Sequence, residues 1–131
     1  MIVKKSLVGL IMLLILVLVT ACSGGEPDAY SDPAETIKVK ANDQFVIALE
    51  SNPTTGFAWE AEYDSEMLTL NEHSYQPDEN AEEMVGVGGT DLLQFKALKA
   101  GSTQIKLTYS QPWEEEEGEY DKHLNFNVEI E

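Results

Sequence analysis

QFVIALESNPTTGFAWEAEY, residues 44–63, consists of two runs of β-type residues separated by a run of turn-forming residues. The first run has an apolar side chain at every second position, at Phe45, Ile47 and Leu49. This period of two is typical of a strand that buries one of its faces. The second run, Phe57–Tyr63, alternates less regularly but is rich in aromatic residues, which also favour strands. We therefore predict two half-buried strands.

The segment between these strands, Ser51–Gly56, has more residues than the two that a tight hairpin needs, and we call it the arch. Pro53 fixes its own φ, and Gly56 permits a positive φ. These restrictions predict a stiff segment that holds the hydroxyl groups of Thr54 and Thr55 outward.

The same alternation runs through most of the remaining chain, and no segment has a clear helical period. The predicted strands are Ile37–Val39, Phe45–Leu49, Phe57–Tyr63, Met67–Asn71, Asp91–Leu98, Ile105–Tyr109 and Leu124–Ile130. They predict an all-β fold, an immunoglobulin-like β-sandwich of about seven or eight antiparallel strands. The likeness to immunoglobulin domains is one of architecture, because the chain has a single cysteine and therefore no internal disulfide.

The connections between the predicted strands fall into two sets. Three are minimal turns, namely Ala41–Asp43, Asp64–Glu66 and Lys99–Gly101. The other three are the arch, Glu72–Thr90, and Ser110–Asp121, which we call the tryptophan loop. If every strand crosses the sandwich once, the two sets lie at opposite ends, which we call the turn end and the loop end. Binding residues concentrate on long loops, so the loop end is the candidate site. Because successive strands reverse direction, we also predict that the domain's first strand starts at the loop end.

The first residues have the layout of a signal peptide. Lys4 and Lys5 precede a run without charges from Ser6 to Ala21, and the segment that ends at Cys22 resembles the bacterial lipoprotein box. We predict a lipoprotein signal peptide over 1–21, a lipidated Cys22 with a flexible tether over 22–35, and one folded domain over 36–131. The protein would then be anchored by lipid, for example palmitate, on the extracytoplasmic face of the cell membrane.

Acidic residues dominate the charge, with 24 Asp and Glu against 8 Lys and Arg, all eight of which are lysines. Removal of the leader takes away Lys4 and Lys5, so the mature chain carries 6 minus 24, or −18. This charge excludes nucleic acid as a partner, because phosphate contacts need Lys and Arg. Cys22 would be the lipidated residue, so we expect no thiol nucleophile and no cysteine metal site. We also expect a monomer without cofactor or metal.

The sequence leaves three function classes open besides the one that the loop motifs favour. A hydrolase would have to use Ser or Thr near His73 or His123, since Cys22 is assigned to lipidation. A calcium module is suggested by the acidic runs PDENAEE and EEEEGEYD, although neither fits the EF-hand pattern. A non-inhibitory cell-surface protein-binding module would use the same loop end.

Three loop motifs of this chain resemble those of the chagasin family of cysteine peptidase inhibitors. The motifs are Asn52, Pro53, Thr54, Thr55, Gly56 and Phe57 with Trp59; then Gly86, Gly88 and Gly89 with Phe95; and finally Pro112 and Trp113. We call Gly86–Gly89 the glycine segment. Their order and spacing agree with the family along nearly the whole mature domain. Family members usually have Arg where this chain has Gln111.

The resemblance implies an immunoglobulin-like β-sandwich that is an inhibitor and not an enzyme. Its target class would be papain-like (C1 type) cysteine peptidases, with the three loops wedged into the active-site cleft and the arch nearest the catalytic thiol. Peptidase-binding residues would be those from Asn52 to Phe57, the three glycines, Gln111, Pro112 and Trp113. Independently of the resemblance, a Trp behind a Pro in a polar loop is costly to expose unless it docks. We expect Trp59, by contrast, to lie in the core.

Overall fold

The computed structural model describes residues 25–79 and 86–131 and contains eight strands with a single 3-10 turn. The strands are β1 (Asp28–Tyr30), β2 (Ile37–Val39), β3 (Gln44–Ser51), β4 (Ala58–Glu62), β5 (Leu68–Pro77), β6 (Gly89–Ala97), β7 (Gly101–Ser110) and β8 (Lys122–Ile130). They form two four-stranded sheets with the orders β1-β3-β6-β5 and β2-β8-β7-β4. The predicted all-β sandwich of seven or eight strands is confirmed.

Two of the strand pairings are parallel, so the prediction of a purely antiparallel sandwich is wrong at these places. β1 pairs with β3 in parallel, and β2 pairs with β8 in parallel. Both β1 and β2 lie at sheet edges, and each joins a different sheet. Alternation along a strand reports which face is buried but not the direction of the neighbouring strand, so the sequence pattern could not give this pairing.

The short strand β1 lies inside the segment that the sequence predicts to be a flexible tether. Its Asp28 is paired with Phe45 and its Tyr30 with Ile47, and the ring of Tyr30 makes an edge contact with that of Phe45 at 6.4 Å. The ordered domain therefore begins before residue 36, and this part of the tether prediction is wrong. The predicted signal peptide, 1–21, and Cys22 lie outside the described residues.

The position of β1 also corrects the expected path of the chain into the domain. Because β1 is parallel to β3, it starts next to Phe45 at the turn end and runs toward the loop end. Glu26 and Pro27 share a crevice with Asn42 and Asp43 of the first minimal turn. The chain therefore enters at the turn end. The predicted first strand, now β2, does run parallel to β8 toward the turn end, and the entry point differs because β1 precedes it.

The three minimal turns do meet at one end, as predicted. Asn42 N–H donates to Ala97 O at 2.7 Å, and Leu98 N–H donates to Met67 O at 2.8 Å. The C-terminal residue is at the same end, because Glu131 O accepts a hydrogen bond from Ala41 N–H at 2.9 Å.

The link between β5 and β6 is shorter than the predicted Glu72–Thr90 loop. β5 continues to Pro77 and β6 begins at Gly89, with an irregularity in the pairing between Leu70 and Glu72. The side chains from Glu72 to Pro77 are mostly exposed on both faces, so they lack the alternation that marks a half-buried strand. Residues 80–85 of the link lie outside the described residues.

The inward faces of both sheets form one apolar core. Phe45 of β3 stacks on Phe95 of β6 at 5.6 Å, and both rings are fully buried. Ile105 of β7 and Phe126 of β8 close the core from the other sheet. Burial of this many large side chains fixes the register of the strands, because a slip by one residue would turn each of them toward solvent. Within residues 25–79 and 86–131, no helix is long and apolar enough to cross a membrane.

Candidate functional site

The three long connections meet at the loop end, where hydrogen bonds join them. Asn52 Nδ2 of the arch donates to the carbonyl oxygen of Gly86 at 3.0 Å. Gln111 Nε2 of the tryptophan loop donates to the carbonyl oxygen of Thr55 at 3.0 Å. The arch is thus the middle member of the three and is braced from both sides. The prediction that these connections share one end is confirmed.

The arch owes its shape to a single 3-10 turn over Pro53–Thr55. Asn52 caps this turn, because its Oδ1 accepts from Thr54 N–H at 3.2 Å and from Thr54 Oγ1 at 2.5 Å. Gly56 ends it with a φ of 81° and donates its N–H to Pro53 O at 3.1 Å. Since every residue of the turn is either fixed in φ or held by a hydrogen bond, the arch is stiff, as the sequence predicts.

The two threonine hydroxyls point into the arch and not outward, which corrects the prediction. Thr54 Oγ1 bonds to Asn52 Oδ1, and Thr55 Oγ1 donates to the Asn52 carbonyl oxygen at 2.6 Å. Both residues are nevertheless exposed. Threonine hydroxyls commonly bond to groups a few residues away in the chain, and here both hydroxyls are used to hold the arch itself together.

Aromatic residues from β4 and β7 support the base of the arch. Tyr109 is buried, and its hydroxyl oxygen accepts from Asn52 N–H at 2.9 Å. Phe57 packs on the Tyr109 ring at 5.2 Å, so this predicted contact residue is half-buried. Trp59 is in the core, as predicted, and its Nε1 donates to Glu50 O at 3.0 Å. Sequence reasoning placed Tyr109 in a strand but missed its support of the arch. Its position just before the tryptophan loop was the available signal.

The three predicted glycines occupy different settings. Gly86 has a φ of 80° and provides the carbonyl that Asn52 binds. Gly88 lies against the start of the arch, since a Cβ added there would be 2.8 Å from Ser51 O. Gly89 is buried in β6, where a Cβ would be 2.1 Å from Gln76 O. Gly89 therefore serves internal packing, whereas Gly86 and Gly88 belong to the surface of the loop end.

Trp113 extends the surface of the arch. A turn closed by Glu114 N–H to Gln111 O at 3.1 Å places Pro112 and Trp113 at its centre. The Trp113 side chain is 67% exposed, and its ring lies across Gly56, where an added Cβ would be 2.1 Å from Trp113 Cη2. Gly56 is thus required both by its positive φ and by the ring above it. The exposed indole and the arch form one continuous edge.

Both histidines contact carboxylates. His73 Nε2 is 3.4 Å from Asp91 Oδ1, and His123 Nε2 is 2.8 Å from Glu117 Oε1. Thr108 Oγ1 lies 3.4 Å from His123 Nδ1, which gives the order hydroxyl, imidazole, carboxylate. The side chains of His123 and Glu117 are 53% and 73% exposed, however, so this group lacks the enclosed pocket typical of catalytic sites. Among the described residues, no three His, Cys, Asp or Glu side chains are grouped as metal ligands.

The arrangement of loops agrees with the result of comparison with known families. Residues 38–130 match the family described as chagasin family peptidase inhibitor I42. The chain belongs to the chagasin family. This membership confirms the resemblance seen in the loop motifs and the prediction that the protein is a peptidase inhibitor and not an enzyme. The assignment of individual contact residues stays a prediction.

Two relatives within the chagasin family are inhibitors from Entamoeba histolytica and Trypanosoma cruzi. The chain is 39% identical over 79 residues to amoebiasin-2 of Entamoeba histolytica. The aligned segment covers 60% of this chain and 64% of the length of amoebiasin-2. The chain is also 35% identical over 84 residues to chagasin of Trypanosoma cruzi, and this alignment covers 60% of the chain and 74% of chagasin.

Solved structures give the same picture of the fold. The crystal structure of EhICP2, a cysteine protease inhibitor from Entamoeba histolytica, matches with a TM-score of 0.65 at 32% identity, covering 79% of this chain and 95% of that one. PbICP-C, solved in complex with falcipain-2, matches with a TM-score of 0.56 at 15% identity, covering 82% of this chain and all of that one. The second likeness concerns the fold alone.

Proposed function

We propose that this protein inhibits papain-like cysteine peptidases by inserting its loop end into the active-site cleft. The observation that carries the proposal is the bracing of the arch from both sides, by Asn52 to Gly86 and by Gln111 to Thr55. These hydrogen bonds join three separate loops into one edge. An edge that is already ordered loses little conformational entropy on binding, which favours a tight complex.

The proposed mechanism is occlusion of the catalytic centre. The arch would lie over the catalytic thiol, with the glycine segment on one side and Trp113 on the other. Its backbone over Pro53–Thr55 is a closed turn, and alignment of one of its peptide bonds for attack would require the Asn52 hydrogen bonds to break. The inhibitor would therefore fill the cleft without being cleaved.

Titration of active papain with the soluble chain, residues 23–131, tests this proposal. We expect stoichiometric inhibition of papain and of a cathepsin-like peptidase, and none of a serine peptidase used as control. A Trp113→Ala variant should inhibit papain at least about 30-fold less well, because truncation of a central aromatic anchor typically costs about 2 kcal/mol or more. A folded domain that leaves papain fully active would instead favour a non-inhibitory surface-binding module.

We also propose that the mature protein is held at the extracytoplasmic face of the cell membrane by lipid on Cys22 and acts as a monomer. The signal-peptide pattern before Cys22 supports the anchor. The entry of the chain at the turn end, through β1, supports an outward orientation of the loop end. On vesicles, the lipidated protein should inhibit papain as well as the soluble chain does. Strong loss of inhibition on vesicles would contradict this orientation.

A further inference from the structure

Tyr120 is the most exposed large apolar side chain among the described residues, at 75%, and the family resemblance gives it no role. Trp113, in the same tryptophan loop, follows at 67%. Two exposed aromatic side chains in one loop are uncommon on a surface without a partner, and Tyr and Trp are enriched at interface hot spots. Tyr120 is therefore a candidate for contact.

The two aromatic residues occupy the same position in two successive turns of the loop. Trp113 is the third residue of the turn closed by Glu114 N–H to Gln111 O at 3.1 Å. Tyr120 is the third residue of the turn closed by Asp121 N–H to Gly118 O at 3.2 Å. Each of the two rings is thus carried by the third residue of a hydrogen-bonded four-residue turn.

A second hydrogen bond fixes the turn that carries Tyr120. The N–H of Gly118 donates to Asp121 Oδ2 at 2.8 Å, so the first and last residues of the turn are tied twice. The loop just before the turn is held to β8 through Glu117 Oε1, 2.8 Å from His123 Nε2. The backbone that carries Tyr120 is therefore held in place, which lowers the entropy cost of any contact that this residue makes.

The neighbours of Tyr120 indicate the chemistry of that contact. Glu119 and Asp121 flank it in the chain, and the run Glu114–Glu117 precedes the turn. An aromatic face attracts a lysine or arginine side chain, and the exposed carboxylates of Glu119 and of Glu114–Glu117 add to the negative field around it. We propose that Tyr120 is a second aromatic contact of the inhibitor, which receives a lysine or arginine at the rim of the peptidase cleft. This inference rests on the proposed function.

Inhibition constants of single variants against papain test the inference. Tyr120→Ala should inhibit at least about tenfold less well than the native chain, and Tyr120→Phe, which keeps the ring face, should stay within about twofold. Tyr120→Leu keeps apolar area without the ring face and should resemble Tyr120→Ala. The matched control is Leu98→Ala, which truncates an exposed apolar side chain next to the turn between β6 and β7, at the turn end. We expect native inhibition from the control.

The possible outcomes distinguish failure of the proposed function from failure of the role given to Tyr120. A native chain that leaves papain active overturns the proposed function and this inference together. If the native chain inhibits and Tyr120→Ala inhibits equally well, the inference alone is overturned. If Tyr120→Leu keeps native inhibition while Tyr120→Ala loses it, Tyr120 makes an apolar contact, and the proposed lysine or arginine partner is overturned. Circular dichroism and melting curves verify that each variant is folded.

Discussion

At the scale of single residues, the loop end depends on a few side chains whose role is to hold others in place. Gln111 stands where family members usually have Arg, and its amide donates to the Thr55 carbonyl at 3.0 Å. The residue that departs from the family pattern therefore braces the arch from within the molecule. Gln and Arg can both donate to a carbonyl, so this position can keep a bracing role without a charge.

Replacement of Gln111 by Ala should release the tryptophan loop from the arch. The hydrogen bond is exposed, so we expect the free energy of unfolding to fall by only about 1 kcal/mol or less. Inhibition of papain should weaken by about threefold to tenfold, because the loops would then have to be ordered on binding. Gln104→Ala is the control, since Gln104 also loses one exposed hydrogen bond, to Asn127, but lies on β7 away from the loop end. Equal inhibition by both variants would contradict the bracing role.

Gly56 is the residue of the arch that should tolerate substitution least. Its φ of 81° and the Trp113 ring, 2.1 Å from an added Cβ, both oppose a side chain. Gly56→Ala should therefore lower the free energy of unfolding by about 1–3 kcal/mol and displace Trp113. Thermal melting and the fluorescence of the exposed Trp113 would report the two effects. Gly25→Ala, where nothing lies within 4 Å of the added Cβ, is the matched control. Unchanged melting and fluorescence for Gly56→Ala would contradict the account.

At the scale of elements, the sequence is most informative where one face of a strand is buried. β2 runs from Ile37 to Val39, as predicted, and the predicted strand around Ile47 is the central part of β3. β1 was missed because three residues among Gly, Pro and acidic residues are too few to display a period. The hydrogen bond from Asn52 to Gly86 likewise could not be predicted from the sequence, since a bond between two loops depends on where the strands place those loops.

Removal of β1 should affect stability but not inhibition. A chain beginning at Ser31 loses the pairing of β1 with β3 and the edge contact of Tyr30 with Phe45. We expect the melting temperature to fall by about 5–10 °C relative to a chain beginning at Gly25, since about 1 kcal/mol shifts a domain of this size by about 4–8 °C. Inhibition by the folded protein should be unchanged, because β1 contributes no residue to the three connections of the loop end. Identical melting of the two chains would show that β1 is not part of the stable domain.

At the scale of the whole molecule, the predicted mature charge of −18 should govern how fast complexes form. An acidic inhibitor is drawn toward a basic enzyme, and salt screens this attraction. Between about 0.05 M and 0.5 M NaCl, the association rate with a basic cysteine peptidase should fall at least about tenfold, while the dissociation rate changes little. Stopped-flow measurement of both rates would check this. An association rate that is independent of salt would exclude electrostatic steering.

Both ends of the described chain lie at the turn end, and this geometry leaves the loop end free. Asp28 pairs with Phe45 beside the first minimal turn, and Glu131 O bonds to Ala41 N–H in the same turn. The braced loops are thus the part of the domain farthest from any attachment at either terminus. With the proposed lipid anchor, this layout would let the protein present its loop end to a target without reorienting at the membrane.

If the loop end enters the cleft, a cleft that is already occupied should block binding. The measurement is calorimetric titration of the soluble chain into free papain and into papain whose cleft holds a covalent peptide-like inhibitor. We expect binding at a ratio of one to one for free papain and no detectable binding once the cleft is filled. Equal binding to both forms would contradict it and would place the contact outside the active site.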